Sequence, residues 1–423
     1  MLNISAEDKL MLAVVRVRPT AEHTAQINAL LPEVKDWETT VRYLIQHGSA
    51  PLFFVKLPAL SNASLLPESV STKLQQTYYK SLTRGMQLYN VFAEVVEALQ
   101  GIELIVLKGA YLSEHLYKDI ALRQFSDLDL LVHPEDGEKA LEALSRIGFK
   151  PRTSKPVSDF VEKNSDFVHY QPMERGDVSV EIHIKLHSRS PYYNLNITDI
   201  WKRAIDISIN KKAVKVMCIT DLLMHLCIHA EKHVKEGAIQ MKSYNDLANL
   251  LLTLPPDFDW LAFENSCIKY RCAKVVFKQL YLTAGFYKIA FPEFLKLAYP
   301  LSLSDKEQFL SFLHCESFKA EKKSTTAVPG HINSLRNIKS PRIFLIYIKE
   351  VLFPSKSFMI SKYGLVSSSE FRVQSKNVRV SKLKTQNSKL QTENRKLKFW
   401  WLWYPYRWWV GLKGIFLLMR KKG

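Results

Sequence analysis

Leu104-Ile105-Val106-Leu107-Lys108-Gly109-Ala110, followed after one helix-length interval by Arg123 and then Ser126-Asp127-Leu128-Asp129-Leu130-Leu131-Val132, is the stretch whose reading decides the fold. Its first part is a short apolar strand, Ile102 to Leu107, that runs into Gly109, after which Ala110 to Tyr117 has helical spacing. Its second part is another strand, Leu128 to Val132. Side chains alternate along a strand, so Asp127 and Asp129 leave one face while Leu128 and Leu130 enter the core. Two carboxylates on one face suit Mg²⁺, which takes one or two protein carboxylates and keeps positions open for phosphates and water. A two-ion site fits the same pattern, because a pair of ions can clamp the attacking and leaving oxygens of an in-line transfer. Both carboxylates are expected to face a polar cleft and repel each other, so that neither is needed for folding.

A third carboxylate follows. In Val180-Glu181-Ile182-His183-Ile184-Lys185-Leu186 the residues Glu181, His183 and Lys185 share a face opposite the aliphatics. Placed beside the Asp127 strand, Glu181 completes a metal-binding triad with Asp127 and Asp129, and His183 and Lys185 become substrate contacts. Gly109, between a strand and a helix, lets a triphosphate approach backbone N–H groups of Lys108-Gly109-Ala110. Lys108 and Arg123 are read either as phosphate contacts or as solvated surface charges.

Working outward, residues 1–100 read as a helical region punctuated by Pro51, Pro58 and Pro67. Residues 101–197 hold the strands, with a helix from Gly137 to Ile147 closed by Gly148 and a hairpin of Asp166 to Met173 and Val178 to Leu186 around Glu174-Arg175-Gly176-Asp177. Residues 198–365 read as helical again, most clearly from Asp221 to His233. The fold class expected is α+β: a mixed-sheet core flanked by N-terminal and C-terminal helical regions.

At these residues the chain resembles the polymerase-β-type nucleotidyltransferase superfamily. It is more closely similar to a family of uncharacterised bacterial nucleotidyltransferases, whose members show LKG, a helix, an Arg a few residues before a DIDLLV strand, and an EIHW-like strand. The corresponding elements are Leu107-Lys108-Gly109, Arg123, Asp127 to Val132 and Glu181-Ile182-His183. Asp36-Trp37, His47 to Leu52, Leu222 to His233, Leu352 to Ser355 and Tyr363-Gly364 extend the likeness over most of residues 30–365. Gly109-Ala110 departs from the superfamily's usual Gly-Ser or Gly-Gly. The resemblance implies Mg²⁺-dependent transfer of a nucleotidyl group from an NTP to an acceptor hydroxyl, with Asp127, Asp129 and Glu181 catalytic. It implies a small molecule, sugar or peptide as acceptor. The reading from another class is a non-catalytic, membrane-associated accessory or binding protein that keeps the fold.

His225, His229 and His233 recur every four residues along one helix face. They read as the inner wall of the helical region, with His229 or His233 open to substrate, or as a metal pair; Ala230 after His229 excludes a metalloprotease motif.

The 423 residues carry a net charge of +18, of which +12 lies from Val366 to Gly423. Residues 366–398 form a polar, basic linker, and heptad spacing of Leu383, Leu390 and Leu397 allows a short homodimeric coiled coil over 380–404. Residues 399–423 hold five of the eight tryptophans among basic residues, a composition suited to an anionic membrane surface or to docking as a last core helix. The basic tail has no recognised nucleic-acid module, which ranks a nucleic-acid acceptor lower. Five scattered cysteines without a CxxC pair exclude a disulfide framework and a zinc site. With no signal-like leader and no bilayer-length apolar run, the expected location is the cytoplasm, peripheral on the inner face of the membrane if the tail binds there.

Overall fold

The computed structural model describes residues 4–152, 168–188, 190, 192–235, 241–314 and 341–353. The described residues up to about 100 are helical, as their sequence predicts. Ser5, Thr20 and Asp36 each accept a backbone N–H and so cap α1 (Ala6–Ala13), α2 (Ala21–Leu30) and α3 (Trp37–Gln46). Pro51 opens the short α4 (Ala50–Phe54), where its missing N–H costs nothing. In the 31-residue α5 (Glu68–Ala98), Val70, Leu74, Ser81, Leu88, Phe92 and Val95 form the buried stripe.

β1 (Leu104–Val106) leads into one turn of helix, α6 (Gly109–Tyr111), which widens into a π-helical turn over Leu112–Leu116. The regular helix expected over Ala110 to Tyr117 is therefore interrupted; the Tyr117 N–H reaches back five residues to the Leu112 carbonyl at 3.0 Å. β2 (Asp127–Val132) and α7 (Gly137–Arg146) come next. Gly148 closes α7 with φ +89°, while the N–H groups of Gly148 and Phe149 bond back to Ser145 and Leu144.

β3 (Lys150–Pro151), β4 (Met173–Arg175) and β5 (Val178–His183) complete one side of the sheet, and β4 and β5 form the expected hairpin with shorter arms. After α8 (Ile197–Arg203), the helical reading of residues 198–365 gives way to two strands. Ile205–Ile209 and Lys212–Val216 are antiparallel strands β6 and β7. Asn210 and Lys211, with φ of 45° and 61°, form the two-residue turn between them, a conformation that matches strand twist. The seven strands are ordered β3-β4-β5-β2-β1-β7-β6. β2 pairs parallel with β5 and antiparallel with β1, so the sheet is mixed.

α9 (Ile219–Lys235), α10 (Met241–Leu251), α11 (Trp260–Lys269), α12 (Ala273–Phe286), α13 (Glu293–Ala298) and α14 (Leu303–Leu313) make up the second helical region. Ile105, Leu107 and Leu131 of the sheet side share a core with Leu223, Leu226, Leu247 and Phe277. A second core joins α1 to α5 with Tyr244, Leu282 and Phe309. The fold is thus α+β, with helices flanking the sheet.

The described residues from Ile4 to Lys150 and Val168 to His314 belong to one compact unit; Pro151, Arg152 and Pro341 to Phe353 belong to another, which contains α15 (Pro341–Leu352). The proposed coiled coil, residues 380–404, and the Trp-rich segment, residues 399–423, lie outside the described residues, as does the 366–398 linker. Among the described residues no helix is long and apolar enough to cross a membrane.

Candidate active site

The register between two parallel strands builds the site. Asp129 pairs with Glu181, Asp127 with Ser179 and Leu131 with His183. Leu128, Leu130, Val180 and Ile182 are all 2% exposed or less, so the apolar row is in the core and the polar row faces outward. The alternation in both strands produces this result directly.

His183 joins the carboxylates. Its Nε2 donates to Asp129 Oδ1 at 3.1 Å and lies 3.5 Å from Glu181 Oε2. Asp129, Glu181 and His183 each offer a ligand atom within 4.8 Å of the other two. Asp127 stands outside that trio, two pairs along the strands, with Ser126 Oγ 3.4 Å from its Oδ1. The structure therefore brings together two of the three expected carboxylates and puts a histidine in the third place. β5 ends at His183, and Lys185, beyond the bend at Ile184, is exposed and not part of this row.

Lys108 completes the other side of Asp129. Its Nζ is 3.2 Å from Asp129 Oδ2 and 3.2 Å from His229 Nε2. An ammonium only donates, so His229 Nε2 accepts and the ring is neutral with its proton on Nδ1. His233 Nε2 lies 3.3 Å from the same nitrogen. The face of α9 that carries His229 and His233 thus borders the carboxylate strands as an inner wall, as read from the sequence.

Charge follows contact. Burial drives the Asp129 carboxyl up, but Lys108 and His183 outweigh it and hold it well below the usual range. Burial likewise raises Glu181, and the His183 hydrogen bond with the His169 charge turns it downward. Asp127 goes the other way, raised by burial and then by the charge of Asp129. Burial lowers Lys108 and His183, yet their carboxylate partners bring both above their ordinary values. Burial pushes His225, one turn before His229, down to about 3, with Lys108 adding to the effect. The expected symmetry between the aspartates fails: Asp129 is 3% exposed and ion-paired, so it contributes to the fold as well as to the polar face.

Gly109 lies against β2: a Cβ there would meet the Phe125 ring at 3.1 Å and the Asp127 carbonyl at 3.3 Å. The Ala110 carbonyl accepts from Tyr89 at 2.7 Å, which anchors this turn to α5. Arg123 is buried and turned away from solvent. Its Nε and Nη2 donate to Asp246 at 2.9 and 2.7 Å, and Nη1 reaches the Gly109 carbonyl at 3.4 Å. Tyr117 also donates to Asp246, at 2.9 Å. Asp246 on α10 thereby ties the glycine turn to the helical region. The surface-charge reading of Arg123 is excluded, and its fork is occupied by Asp246.

Two contributors escaped the sequence reading. Lys242, one turn before Asp246 on α10, donates to the Gln124 carbonyl at 3.0 Å, and burial together with Arg123 lowers its ammonium to about 8. His169 forms a bridge with His183 and places Nε2 3.9 Å from Glu181. The available signal for Lys242 and Asp246 was a pair of opposite charges four residues apart in a helix that also carries Ser243, Asn245 and Asn249 between its apolar residues.

A row of carboxylates beside Lys108 and Lys242 can hold a divalent cation and polyanionic phosphates. No curated protein matches the chain. Among solved structures it is similar to the solution structure of the antibiotic-resistance factor ANT(2'')-Ia, at 10% identity and a TM-score of 0.26, over 48% of this chain and 95% of that one. A model of the family described as uncharacterised nucleotidyltransferase matches residues 33–288, which include every strand of the sheet and each residue of this site, and the chain belongs to that family.

Proposed function

We propose that the protein transfers a nucleotidyl group from an NTP to an acceptor hydroxyl, with Asp127, Asp129 and Glu181 at the reacting end. The observation that carries this reading is the Asp129–Glu181 register pair, with Asp127 on the same row and Lys108 and Gly109 beside it. Family and fold support nucleotidyl transfer as the activity class. The donor set of carboxylates fits a divalent ion, Mg²⁺ by the resemblance. A bound ion neutralises charge on the triphosphate. The remaining work belongs to the chain.

Lys108 and Lys242 bind phosphate oxygens as point charges. Gly109 lets this turn pack without a side chain against the Phe125 ring and the Asp127 carbonyl, which holds the backbone of Lys108-Gly109-Ala110, the expected triphosphate contact, close beside the carboxylate strand. Arg123 acts through Asp246 as a positioning residue, holding the glycine turn against α10. The acceptor oxygen attacks the α-phosphorus, the bond to the bridging oxygen breaks, and pyrophosphate leaves. Glu181, whose carboxyl stays below its ordinary value, is either a third metal ligand or the group that takes the acceptor proton. Neutral His229, with His233 beside it, lines the side from which the acceptor enters; a small molecule, sugar or peptide is the acceptor class that the resemblance implies.

One observation favours a non-catalytic reading: Lys108 and His183 already neutralise Asp129 internally. Purified protein incubated with each NTP, divalent ion and pools of small-molecule acceptors separates the two. Pyrophosphate release that requires Asp127 and Glu181 supports transfer, and NTP binding without release supports an accessory role. A peripheral attachment to anionic membranes through residues 399–423 rests on their Trp-rich, basic composition. Flotation with anionic vesicles, lost on deleting residues 399–423, tests it.

A further inference from the structure

We propose that His183 is itself a ligand of the active-site metal, and that this makes the centre prefer Mn²⁺ to Mg²⁺. The inference rests on the proposed nucleotidyl-transfer site and sharpens it. Three contacts carry the argument. His183 Nε2 is 3.1 Å from Asp129 Oδ1 and 3.5 Å from Glu181 Oε2. Neighbouring ligands on an octahedral ion with bonds of about 2.1 Å stand about 3 Å apart, so both contacts of His183 Nε2 are near that spacing, and the three ligand atoms lie within 4.8 Å of one another. Lys108 takes the other oxygen of Asp129, at 3.2 Å, and leaves Oδ1 for the same point that His183 and Glu181 address.

The choice of nitrogen is also fixed. His183 Nδ1 is buried without a partner, while Nε2 points between the two carboxylates. The ion takes the place of the Nε2 proton, and the two carboxylates that accept that proton become its co-ligands. His225 supplies an independent sign that a hydrated ion belongs here. It is 5% exposed, its Nε2 has no partner among the described residues, and its ring lies 6.1 Å from that of His229, which meets Lys108. An unmatched polar atom in such surroundings calls for a water or ion.

Ligand chemistry then sets the metal. An all-oxygen set suits Mg²⁺, whereas imidazole nitrogen strengthens binding of later divalent ions along the Irving–Williams order. Mn²⁺ keeps the octahedral geometry and gains from the nitrogen. His169, whose Nδ1 faces the Tyr170 carbonyl at 2.8 Å and whose Nε2 is 3.9 Å from Glu181, is outside this face.

Electron spin echo modulation of Mn²⁺ added to the full-length protein, without nucleotide, reads the ligand directly. The expected result is a ¹⁴N coupling that changes to the ¹⁵N pattern in protein labelled only at histidine, disappears in His183→Gln and persists in His169→Gln. Titration should show Mn²⁺ bound about ten-fold or more tighter than Mg²⁺, with that ratio shrinking in His183→Gln. Bound Mn²⁺ without histidine nitrogen coupling, or coupling that survives His183→Gln, overturns the inference and leaves the carboxylate site intact. Absence of bound Mn²⁺ at millimolar concentration overturns it together with metal-dependent transfer. Should His183→Gln fail to fold, His183→Asn takes its place, and histidine coupling that persists in it overturns the inference.

Discussion

Asp129 faces Glu181 across parallel strands, yet its second oxygen belongs to Lys108, 3.2 Å away. The same carboxylate therefore serves both the proposed chemistry and the internal charge balance, and Asp127, two pairs along, does not.

The two aspartates should separate in a stability measurement. Asp127→Asn and Asp129→Asn are both expected to abolish transfer. Urea denaturation should find Asp127→Asn within about 1 kcal/mol of the parent, because its carboxyl is destabilised by burial and by Asp129. Asp129→Asn leaves Lys108 without its counter-charge and should cost about 3–5 kcal/mol. Equal losses for the two would contradict the asymmetry.

Arg123 and Asp246 should behave as one unit. Both side chains are at most 5% exposed and their ends meet at 2.7 Å. Either single alanine variant strands a buried charge and is expected to lose about 3–5 kcal/mol. The double variant should lose less than the sum by about 0.5–3 kcal/mol. Additive losses measured by denaturant unfolding would show that the pair is not coupled.

Lys56 makes folding depend on pH. It is 6% exposed, its ammonium meets among the described residues only the Leu52 carbonyl, at 2.9 Å, and burial lowers it to about 7 from 10.5. Between those values the unfolded chain binds a proton that the folded chain does not, so stability rises with pH from about 7 to about 10.5. Below about 7 the full penalty is present, on the order of 5 kcal/mol. Lys56→Met should therefore be more stable than the parent at pH 6, with the difference closing toward pH 10. A difference that does not vary with pH would show that Lys56 stays charged in the fold.

Gly109→Ala tests the close packing behind the proposed nucleotide wall. Its Cβ would sit 3.1 Å from the Phe125 ring and 3.3 Å from the Asp127 carbonyl, so β2 must shift or the ring must turn. A loss of about 1–3 kcal/mol is expected, read as a lowered thermal midpoint. An unchanged midpoint would mean that the ring yields freely.

The carboxylate row was legible because strand alternation is local: Asp127, Asp129, Glu181 and His183 declare their face from neighbours two residues away. Reach was not. That His183 enters the trio while Asp127 stands aside depends on the stagger of β2 against β5, which alternation does not encode. Arg123 finds Asp246 123 residues later, so its burial had no local signal. The β6–β7 hairpin was missed because its turn is Asn210-Lys211 and lacks the glycine that marks such turns; Asn210 is instead held by Glu114 and by the Tyr89 carbonyl.

Transfer of label from NTPs tests the central claim most directly. The full-length protein is incubated with Mn²⁺ or Mg²⁺, a pool of hydroxyl-bearing acceptors, and each NTP labelled either at the α- or at the γ-phosphorus. The account predicts that α-label moves to an acceptor while γ-label leaves as pyrophosphate, and that Asp127→Asn and Glu181→Gln abolish both. Label moving from the γ position to the acceptor, or α-label transfer unchanged in those variants, would contradict it.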